Sequence, residues 1–390
     1  MPIINSIAAL KDEMTGWRRD IHAHPETAFE EVRTSGLVAE KLESWGVEVH
    51  RGLGKTGVVG VLRGRGEGGR TIGLRADMDA LPMNEENDVP WKSTVPGKFH
   101  GCGHDGHTSM LLGAAKYLSE TRNFDGIVHF IFQPAEEGAG GGRAMVEDGL
   151  FDRFDCDEVY ALHNWPELPA GTVGLRPGPI MAAADKFDVT IRARGGHAAM
   201  PHKANDPVVI AAQIIQAYQT LVSRQTDPLK SAVITVAQIH AGSTYNVIAE
   251  EAFLSGTLRS FDQEVREYLT AGMERLAKGI ARAFEAEAEF VFHEGYPATV
   301  NHGDQAEKAA AVARDVVGAD KVTMEAEPSM GAEDFSFMLN KRPGAYLFLG
   351  QAGGPSACNV HNPRYDFNDE ILPIGASLLA SLVESGLKRA

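Results

Sequence analysis

The chain has 390 residues, which exceeds one ordinary hydrophobic core and predicts two domains. Hydrophobic residues make up 43% and charged residues 23%, as in globular proteins and unlike disordered ones. A formal net charge of -16 argues against nucleic-acid or anionic-membrane binding, because the mean field repels phosphate groups. With no leader-like segment, no apolar run of about 20 residues and only three cysteines, the sequence predicts a cytoplasmic protein.

Apolar runs and helical spacing alternate along the first part of the chain. Short apolar runs predict buried strands, and apolar residues spaced three or four apart predict helices. The predicted elements are a helix at 36–45, strands at 58–62 and 72–77, a helix at 108–121, and strands at 127–132 and 159–162. Such alternation indicates an α/β layer.

The order of elements changes from residue 185 onward. The predicted series is strand 187–193, helix 207–224, strands 232–239 and 252–259, helix 263–284 and strand 289–293. This order is β-α-β-β-α-β, and Asp206 followed by Pro207 marks a helix start within it. The alternation then resumes with helix 305–317, strand 345–349 and helix 373–387. We therefore expect a domain at 185–293 inserted into a domain formed by 1–184 and 294–390.

Two acids end the strand predicted at 72–77. Asp77 and Asp79 stand at alternate positions, so both would point to one side if the strand continued. Two carboxylates on one side are typical of metal sites. A pair of solvated turn carboxylates explains this segment alone equally well.

The segment 100–107, HGCGHDGH, concentrates metal-ligand types before the helix predicted at 108–121. The thiolate of Cys102 and two imidazoles of this glycine-rich turn can converge on one cation, since glycines let the backbone fold tightly around it. A thiol hydrolase with Cys102 as nucleophile is a second interpretation. A zinc knot of Cys102, His104, Cys358 and His361 is a third, but it would leave the acids unexplained.

Adjacent glutamates, Glu136 and Glu137, follow the strand predicted at 127–132. Like charges placed together raise each other's pKa unless a cation neutralises them. One glutamate can therefore bind metal while the other transfers the proton of an attacking water. An exposed pair at a helix start is the plain alternative. His163 and His361 add two imidazoles in loops elsewhere.

Seven segments together resemble a known family. They are RRDIHAHPE, LRADMDALPM, HGCGHDGHTSMLLGAA, FQPAEEGAGGG, LHNWP, GGHAAMPH and SMGAEDFS. In order and spacing they resemble the amidohydrolase branch of the M20 metallopeptidases, which holds hippurate hydrolases, N-acyl-amino-acid amidohydrolases and IAA-amino acid hydrolases. The resemblance runs from about Trp17 to the last helix. It implies an α/β metallopeptidase-type catalytic domain with an inserted ferredoxin-like lid and dimerisation domain.

The resemblance also implies roles for individual residues. Two divalent ions, manganese or zinc, would be held with one bridging ligand by Cys102, His104, Glu137, His163 and His361. Glu136 would act as general base and acid, and Asp79 would orient groups of the site from behind it. Asp77 would also lie behind the ligands, and His22 and His24 receive no role.

In the insert, the resemblance implies three functional residues. His197 would polarise the scissile carbonyl, often in the partner subunit's active site, and Asn246 and Arg259 would contact the substrate. A surface salt bridge is the alternative for Arg259. The implied protein is a homodimer or higher homo-oligomer that cleaves N-acyl-L-amino acids to a carboxylic acid and a free amino acid. A metallo-carboxypeptidase or dipeptidase would use the same dinuclear site and stays an open alternative.

Overall fold

The computed structural model describes residues 3–66, 68–354 and 358–389, and its contacts divide the chain into two compact units. The first unit contains Met1–Ile180, Val300–Glu327 and Asp334–Ala390, and the second contains Met181–Thr299 and Pro328–Glu333. Among the described residues, every helix is too short or too polar to cross a bilayer.

Strands and helices alternate along most of the chain. The strands are β1 (Glu48–Leu53), β2 (Gly57–Arg63), β3 (Thr71–Asp77), β4 (Ile127–Gln133), β5 (Glu158–Pro169), β6 (Val173–Gly174), β7 (Gly178–Met181), β8 (Ala183–Arg192), β9 (Gly196–His197), β10 (Ala232–Ala241), β11 (Val247–Ile248), β12 (Glu251–Ser260), β13 (Glu287–Tyr296), β14 (Thr299–Asn301), β15 (Val322–Thr323) and β16 (Gly344–Ala352). The helices are α1 (Asn5–Ala9), α2 (Lys11–Ala23), α3 (Val32–Ser44), α4 (His104–Thr121), α5 (Gly141–Glu147), α6 (Leu150–Arg153), α7 (Pro207–Thr220), α8 (Gln263–Ala283), α9 (Gly303–Val317), α10 (Ser336–Leu339) and α11 (Leu372–Gly386). Short 3-10 turns lie at Pro201–Lys203, Ala319–Lys321 and Asp369–Ile371, and a π turn at Leu221–Gln225 follows α7.

The first unit is built on a mixed sheet with the strand order β1-β2-β4-β3-β5-β16-β6-β15 in the described residues. Strands β4, β3, β5 and β16 are parallel, whereas β1 and β2 are added antiparallel at one edge. Asp77, at the end of β3, pairs with Gln133, at the end of β4. Strand β5 leaves β3 after Ala161, so His163 lies at the same edge. Open parallel sheets bind ligands at this carboxyl edge.

Helix α4 crosses the core of the first unit. Met110 and Leu111 on this helix pack into the same buried cluster as Leu74 of β3 and Phe130 of β4. The sequence predicted the helix from residue 108, but it begins at His104. The first turn is polar and lacks apolar periodicity, although it is buried, which explains the late predicted start.

The second unit is an antiparallel sheet in the order β10-β12-β8-β13, packed against α7 and α8. Alternate residues of β8, Phe187, Val189 and Ile191, are buried in its core. The carboxylate of Asp206 accepts a hydrogen bond from the backbone N–H of Val208 at 2.9 Å, as its position before Pro207 predicted. The predicted β-α-β-β-α-β order and the α/β fold with a ferredoxin-like insert are confirmed.

Each predicted element has a counterpart among the described residues, but the sequence missed several others. Strand β1 is an edge strand with mostly exposed or half-buried residues, so it lacks the apolar run that marks a buried strand. Most residues of helix α2 are polar or charged, so its apolar stripe is narrow. Both are held by tertiary contacts that local patterning does not report.

Candidate metal centre

The turn before α4 shapes the centre of the site. Gly103 has a φ of 95°, and a Cβ atom at this position would lie 2.3 Å from Oδ1 of Asn164. Only glycine therefore fits between Cys102 and His104, which stand on either side of it. His104 is the first residue of α4 and not, as predicted, part of a loop before the helix.

Cys102, His104 and His163 form a buried group whose ligand atoms lie within 4.8 Å of one another. The Sγ atom of Cys102 lies 3.4 Å from Nε2 of His163. Nδ1 of His163 donates to the backbone oxygen of Asn164 at 2.7 Å, and Nδ1 of His104 donates to the backbone oxygen of Asp79 at 2.9 Å. These bonds fix both rings and leave each Nε2 without its proton in the neutral form, as in metal-binding histidines.

Cys102 also belongs to a second group, with Glu137 and His361. Nε2 of His361 lies 3.3 Å from Oε1 of Glu137. His361 adopts a left-handed φ of 64°, and its backbone N–H donates to the oxygen of Gly101 at 2.7 Å. This unfavourable conformation for a residue with a Cβ atom is held by the surrounding structure and aims the imidazole at Glu137.

The residues fit a pair of metal ions. All five predicted ligands fall into these two groups, and the two groups share Cys102. Nε2 of His104 and Oε1 of Glu137 are buried and lack a hydrogen bond of good geometry in the described part of the chain, although Nε2 of His361 lies 3.3 Å from Oε1 of Glu137. Buried polar atoms rarely stay unpaired, so these two require a further partner. A thiol, imidazoles and a carboxylate suit divalent transition metals.

Asp79 holds the backbone of Glu136 and Glu137 in place by hydrogen bonds. Its Oδ1 accepts the backbone N–H of Glu136, and its Oδ2 accepts that of Glu137, both at 2.9 Å. The preceding Ala135 has a φ of 54°, and its N–H donates to Oε1 of Glu31 at 2.9 Å. Glu136 is buried, and its carboxylate lies within 4.8 Å of the ligand atoms of His104 and Glu137. An exposed pair of glutamates at a helix start is therefore the wrong interpretation.

Asp77 is occupied by hydrogen bonds. Its Oδ1 lies 2.6 Å from Nδ1 of His107, and its Oδ2 accepts from Nη1 of Arg75 at 2.8 Å. His107 in turn lies 2.6 Å, through Nε2, from Oδ1 of Asn164. Asp77, His104 and His107 meet the distance criterion for a metal group, but the bonds already satisfy Asp77 and His107. Asp77 and Asp79 are 0% and 1% exposed, so a solvated turn pair is also wrong.

The electrostatics of the site favour added positive charge. Burial lowers the pKa of His104, but Asp77 and Cys102 outweigh this effect and hold the pKa well above its usual value. Hydrogen bonds with Cys102 and Glu137 raise the pKa of His361 to about 10. Burial lowers the pKa of His163, which keeps this imidazole neutral. The acids thus hold protons on two imidazoles at positions where a divalent cation can replace them.

The competing interpretations of Cys102 do not fit this geometry. Burial and the charge of Glu137 raise the pKa of the Cys102 thiol, whereas a nucleophilic cysteine needs a lowered pKa. In the part of the chain that the structure describes, Cys358 belongs to none of the ligand groups that contain Cys102, His104 or His361. The thiol hydrolase and the zinc knot are therefore both disfavoured.

Two of the three predicted lid residues lie together in the second unit. His197 in β9 pairs with Val247 in β11, and the N–H of Ala198 donates to the backbone oxygen of Asn246 at 3.0 Å. Nδ1 of the exposed His197 accepts from the N–H of Ala199 at 3.0 Å. Because Nδ1 is an acceptor, the neutral ring carries its proton on Nε2, where it can be donated.

Arg259 stands apart from these two residues within the same unit. Strand β12 begins at Glu251, close after β11, and Arg259 lies eight residues further along it. At about 3.3 Å per residue, Arg259 lies about 26 Å along the strand from Glu251. Arg259 is half-buried and donates to Oγ1 of Thr257 and to the backbone oxygen of Leu258. None of the described carboxylates forms a salt bridge with Arg259, so that alternative is wrong.

Sequence reasoning gave no role to two buried histidines that support the site. His107 joins Asp77 to Asn164, and Nδ1 of His22 lies 2.8 Å from Oδ2 of Asp105. His107 stands three residues after His104 on a helix, a spacing that places both on one face and could have indicated its role. The contact of His22 spans 83 residues, and no local pattern reports it.

Fold and site together define a metal-dependent hydrolase of the α/β class. The model of the family described as Peptidase family M20/M25/M40 matches residues 73–385, and the chain belongs to this family. It belongs to the amidohydrolase branch and hydrolyses amide bonds of a small-molecule substrate.

Individual relatives support this assignment over the whole chain. The chain is 41% identical over 388 residues to the hippurate hydrolase of Campylobacter jejuni, covering 100% of both chains. It is 39% identical over 379 residues to thermostable carboxypeptidase 2 of Saccharolobus solfataricus, covering 95% of both. A solved Bacillus subtilis structure, described as a dinuclear metal binding peptidase from the M20 family, has a TM-score of 0.85 and 34% identity. That comparison covers 98% of this chain and 100% of the other.

Proposed function

We propose that the chain is a two-metal amidohydrolase that cleaves N-acyl-L-amino acids, of the hippurate or N-acetyl type, to a carboxylic acid and a free amino acid. The observation that carries the proposal is the pair of ligand groups that share Cys102, with the carboxylate of Glu136 beside them. The hippurate hydrolase relative supports this choice of substrate class. The dinuclear metal described for the Bacillus subtilis relative supports two ions.

Each ligand group would hold one divalent ion. Cys102, His104 and His163 would hold the first ion, and Cys102, Glu137 and His361 would hold the second, since Cys102 is common to both groups. When bound, such ions lower the pKa of water and polarise a carbonyl group. The thiol suits zinc, and the imidazole and carboxylate ligands suit manganese as well. A metal-binding thiol must stay reduced, which supports a cytoplasmic location.

Glu136 would transfer the proton in both halves of the reaction. Its carboxylate takes a proton from the attacking water, whose oxygen forms a bond to the carbonyl carbon of the substrate. The same group then donates this proton to the amide nitrogen as the C–N bond breaks. The products are a carboxylic acid and a free amine. Asp79 keeps the Glu136 backbone in place through its hydrogen bond. The Nε2–H of His197 would stabilise the oxyanion of the substrate.

The insert would supply the remaining substrate contacts. We assign residues 185–293 as a lid and dimerisation domain and residues 1–184 and 294–390 as the catalytic domain. Asn246 would bind the substrate beside His197, and the guanidinium of Arg259 would bind its carboxylate. Because the β9–β11 pair that holds His197 lies at the Glu251 end of β12, about 26 Å along the strand from Arg259, a single small substrate would receive the two side chains from two chains. A homodimer, or a higher assembly of dimers, supplies both.

Mixing two inactive variants tests the shared site. His197→Ala and Arg259→Ala should each abolish nearly all turnover when alone. In a randomly paired mixture, one site of each mixed dimer has both residues, so activity should return to about a quarter of the wild-type level. Absence of recovery, with mixed dimers present by native mass spectrometry, would show that both residues act within one chain.

A substrate panel tests the proposed reaction. Protein stripped with chelator is given manganese or zinc, and amino-acid release is measured from hippurate, N-acetyl amino acids and dipeptides. Metal-restored cleavage of N-acyl amino acids over dipeptides supports the proposal. Preference for peptides would favour the second candidate, a metallo-carboxypeptidase or dipeptidase, which the similarity to thermostable carboxypeptidase 2 supports. Hydrolysis that persists without metal would contradict both candidates.

A further inference from the structure

Arg18 is a buried arginine on α2 that binds the segment after His361. Its Nε and Nη2 atoms donate to the two carboxylate oxygens of Asp369 at 2.7 and 3.0 Å. Its Nη1 donates to Oδ1 of Asp366 at 3.2 Å. Two parallel bonds from one guanidinium to one carboxylate fix direction as well as distance, which a lysine cannot do. Arg18 therefore fixes this segment firmly to α2.

The same guanidinium reaches the start of α4. Its Nη1 lies 3.6 Å from Oδ2 of Asp105, the residue directly after His104. Both Arg18 and Asp105 are fully buried, so solvent screens their attraction little. His22, one turn further along α2, makes a second contact with this carboxylate at 2.8 Å. Helix α2 is thus fastened to the residue next to His104.

Arg18 therefore connects two segments, each of which carries one ligand of a different metal group. His104 belongs to the group of Cys102 and His163, and His361 belongs to the group of Cys102 and Glu137. Asp366 and Asp369 follow His361 by five and eight residues in the chain. The guanidinium, which lies 348 and 351 residues before Asp366 and Asp369 in the chain, joins their segment to the helix start of His104.

We propose that Arg18 is a positioning residue that sets the affinity of the second metal site, that of Cys102, Glu137 and His361. The inference rests on the proposed function. The His361 side chain is 53% exposed, whereas the other four ligands are buried or nearly so. Its position consequently depends on the backbone of its own segment, which Arg18 holds. The first site is built from buried residues and needs this contact less.

The chain offers variants that separate this role from general stability. Arg18→Lys keeps the buried charge but removes the paired donors, and Asp369→Asn weakens the same contact from the other side. Arg19→Gln is the matched control. Arg19 contacts the same Asp369, with Nη2 at 2.8 Å, and covers the ring of Trp91, but its side chain is 39% exposed. Its removal leaves the link between Arg18 and Asp105 intact.

The measurement is a calorimetric titration of chelator-stripped protein with zinc, using a competing chelator to resolve two binding steps. We expect the second Kd to rise about 10- to 100-fold in Arg18→Lys and in Asp369→Asn, as for other residues that orient metal ligands. The first Kd should stay within about threefold, and Arg19→Gln should match the wild type. A purely structural role would not change the ratio of the two constants.

Three results would overturn the inference. The first is unchanged second-step binding in either variant, with native folding shown by circular dichroism. The second is an equal loss in both steps, which would indicate general loosening of the site. The third is a wild-type chain that binds fewer than two ions. This result would also refute the proposed two-metal function, whereas the first two results would refute only the role of Arg18. If Arg18→Lys fails to fold, the partly accessible Asp369→Asn decides the question.

Discussion

Replacing Asp79 by asparagine should slow catalysis without removing a metal ligand. Each oxygen of Asp79 accepts one backbone N–H, from Glu136 and from Glu137, at 2.9 Å. Asparagine keeps one acceptor and places an NH2 group opposite the other N–H, so one charge-assisted hydrogen bond is lost. Such a bond contributes about 1.5–3 kcal/mol. If the loss appears in the transition state, kcat/KM falls about 10- to 150-fold, because 1.36 kcal/mol is a factor of ten.

The assay is the initial rate of N-acyl amino acid hydrolysis under saturating metal, together with urea unfolding of the same preparation. Asp88→Asn is the control, since Asp88 is an exposed aspartate in the segment that follows Asp79. We expect the control to keep wild-type kcat/KM. A kcat/KM within about twofold of wild type in folded Asp79→Asn would refute the reasoning that Asp79 positions the glutamates.

Three further predictions concern the proton carrier, the shared ligand and the buried histidine of α2. Glu136→Gln should keep its metal content, measured by elemental analysis, and lose about 10²- to 10⁴-fold in kcat; near-normal turnover would exclude Glu136 as base. Cys102→Ser should bind fewer than two ions per chain in the same measurement, and two tightly bound ions would exclude a bridging role. Burial lowers the pKa of His22, but hydrogen bonds to Asp105 and Glu85 raise it to about 9, above the usual 6.5. Its contribution to stability is full below pH 6.5 and is lost as the pH rises through 9, so urea stability should fall in that interval, and His22→Asn should remove this component of the fall.

The fold was predictable where apolar patterning is strong. The alternation of Phe187, Val189 and Ile191 along β8 and the cap at Asp206 identified the insert from sequence alone. The start of α4 was not predictable, because His104 lies in a buried polar turn whose helical geometry depends on Gly103 and on contacts from other segments. Apolar spacing is the signal that predicts a helix from sequence, and this turn has no such spacing.

The candidate site was predictable in its residue types but not in its arrangement. The five ligands stand out by their chemistry and by the resemblance to a known family. The sharing of Cys102 between two groups could not be read from the sequence, since Glu137, His163 and His361 come from distant segments. The same limit hid the contact of Arg18 with Asp369, which lies 351 residues away. Such contacts depend on the packed structure.

The most direct test of the account is the number and position of bound metal ions. Crystals grown from chelator-stripped protein are given zinc, and anomalous scattering is measured on both sides of the zinc absorption edge. We expect two peaks, each within bonding distance of Sγ of Cys102, one beside His104 and His163 and the other beside Glu137 and His361. A single peak, or two peaks of which one lies away from Cys102, would contradict the shared metal centre.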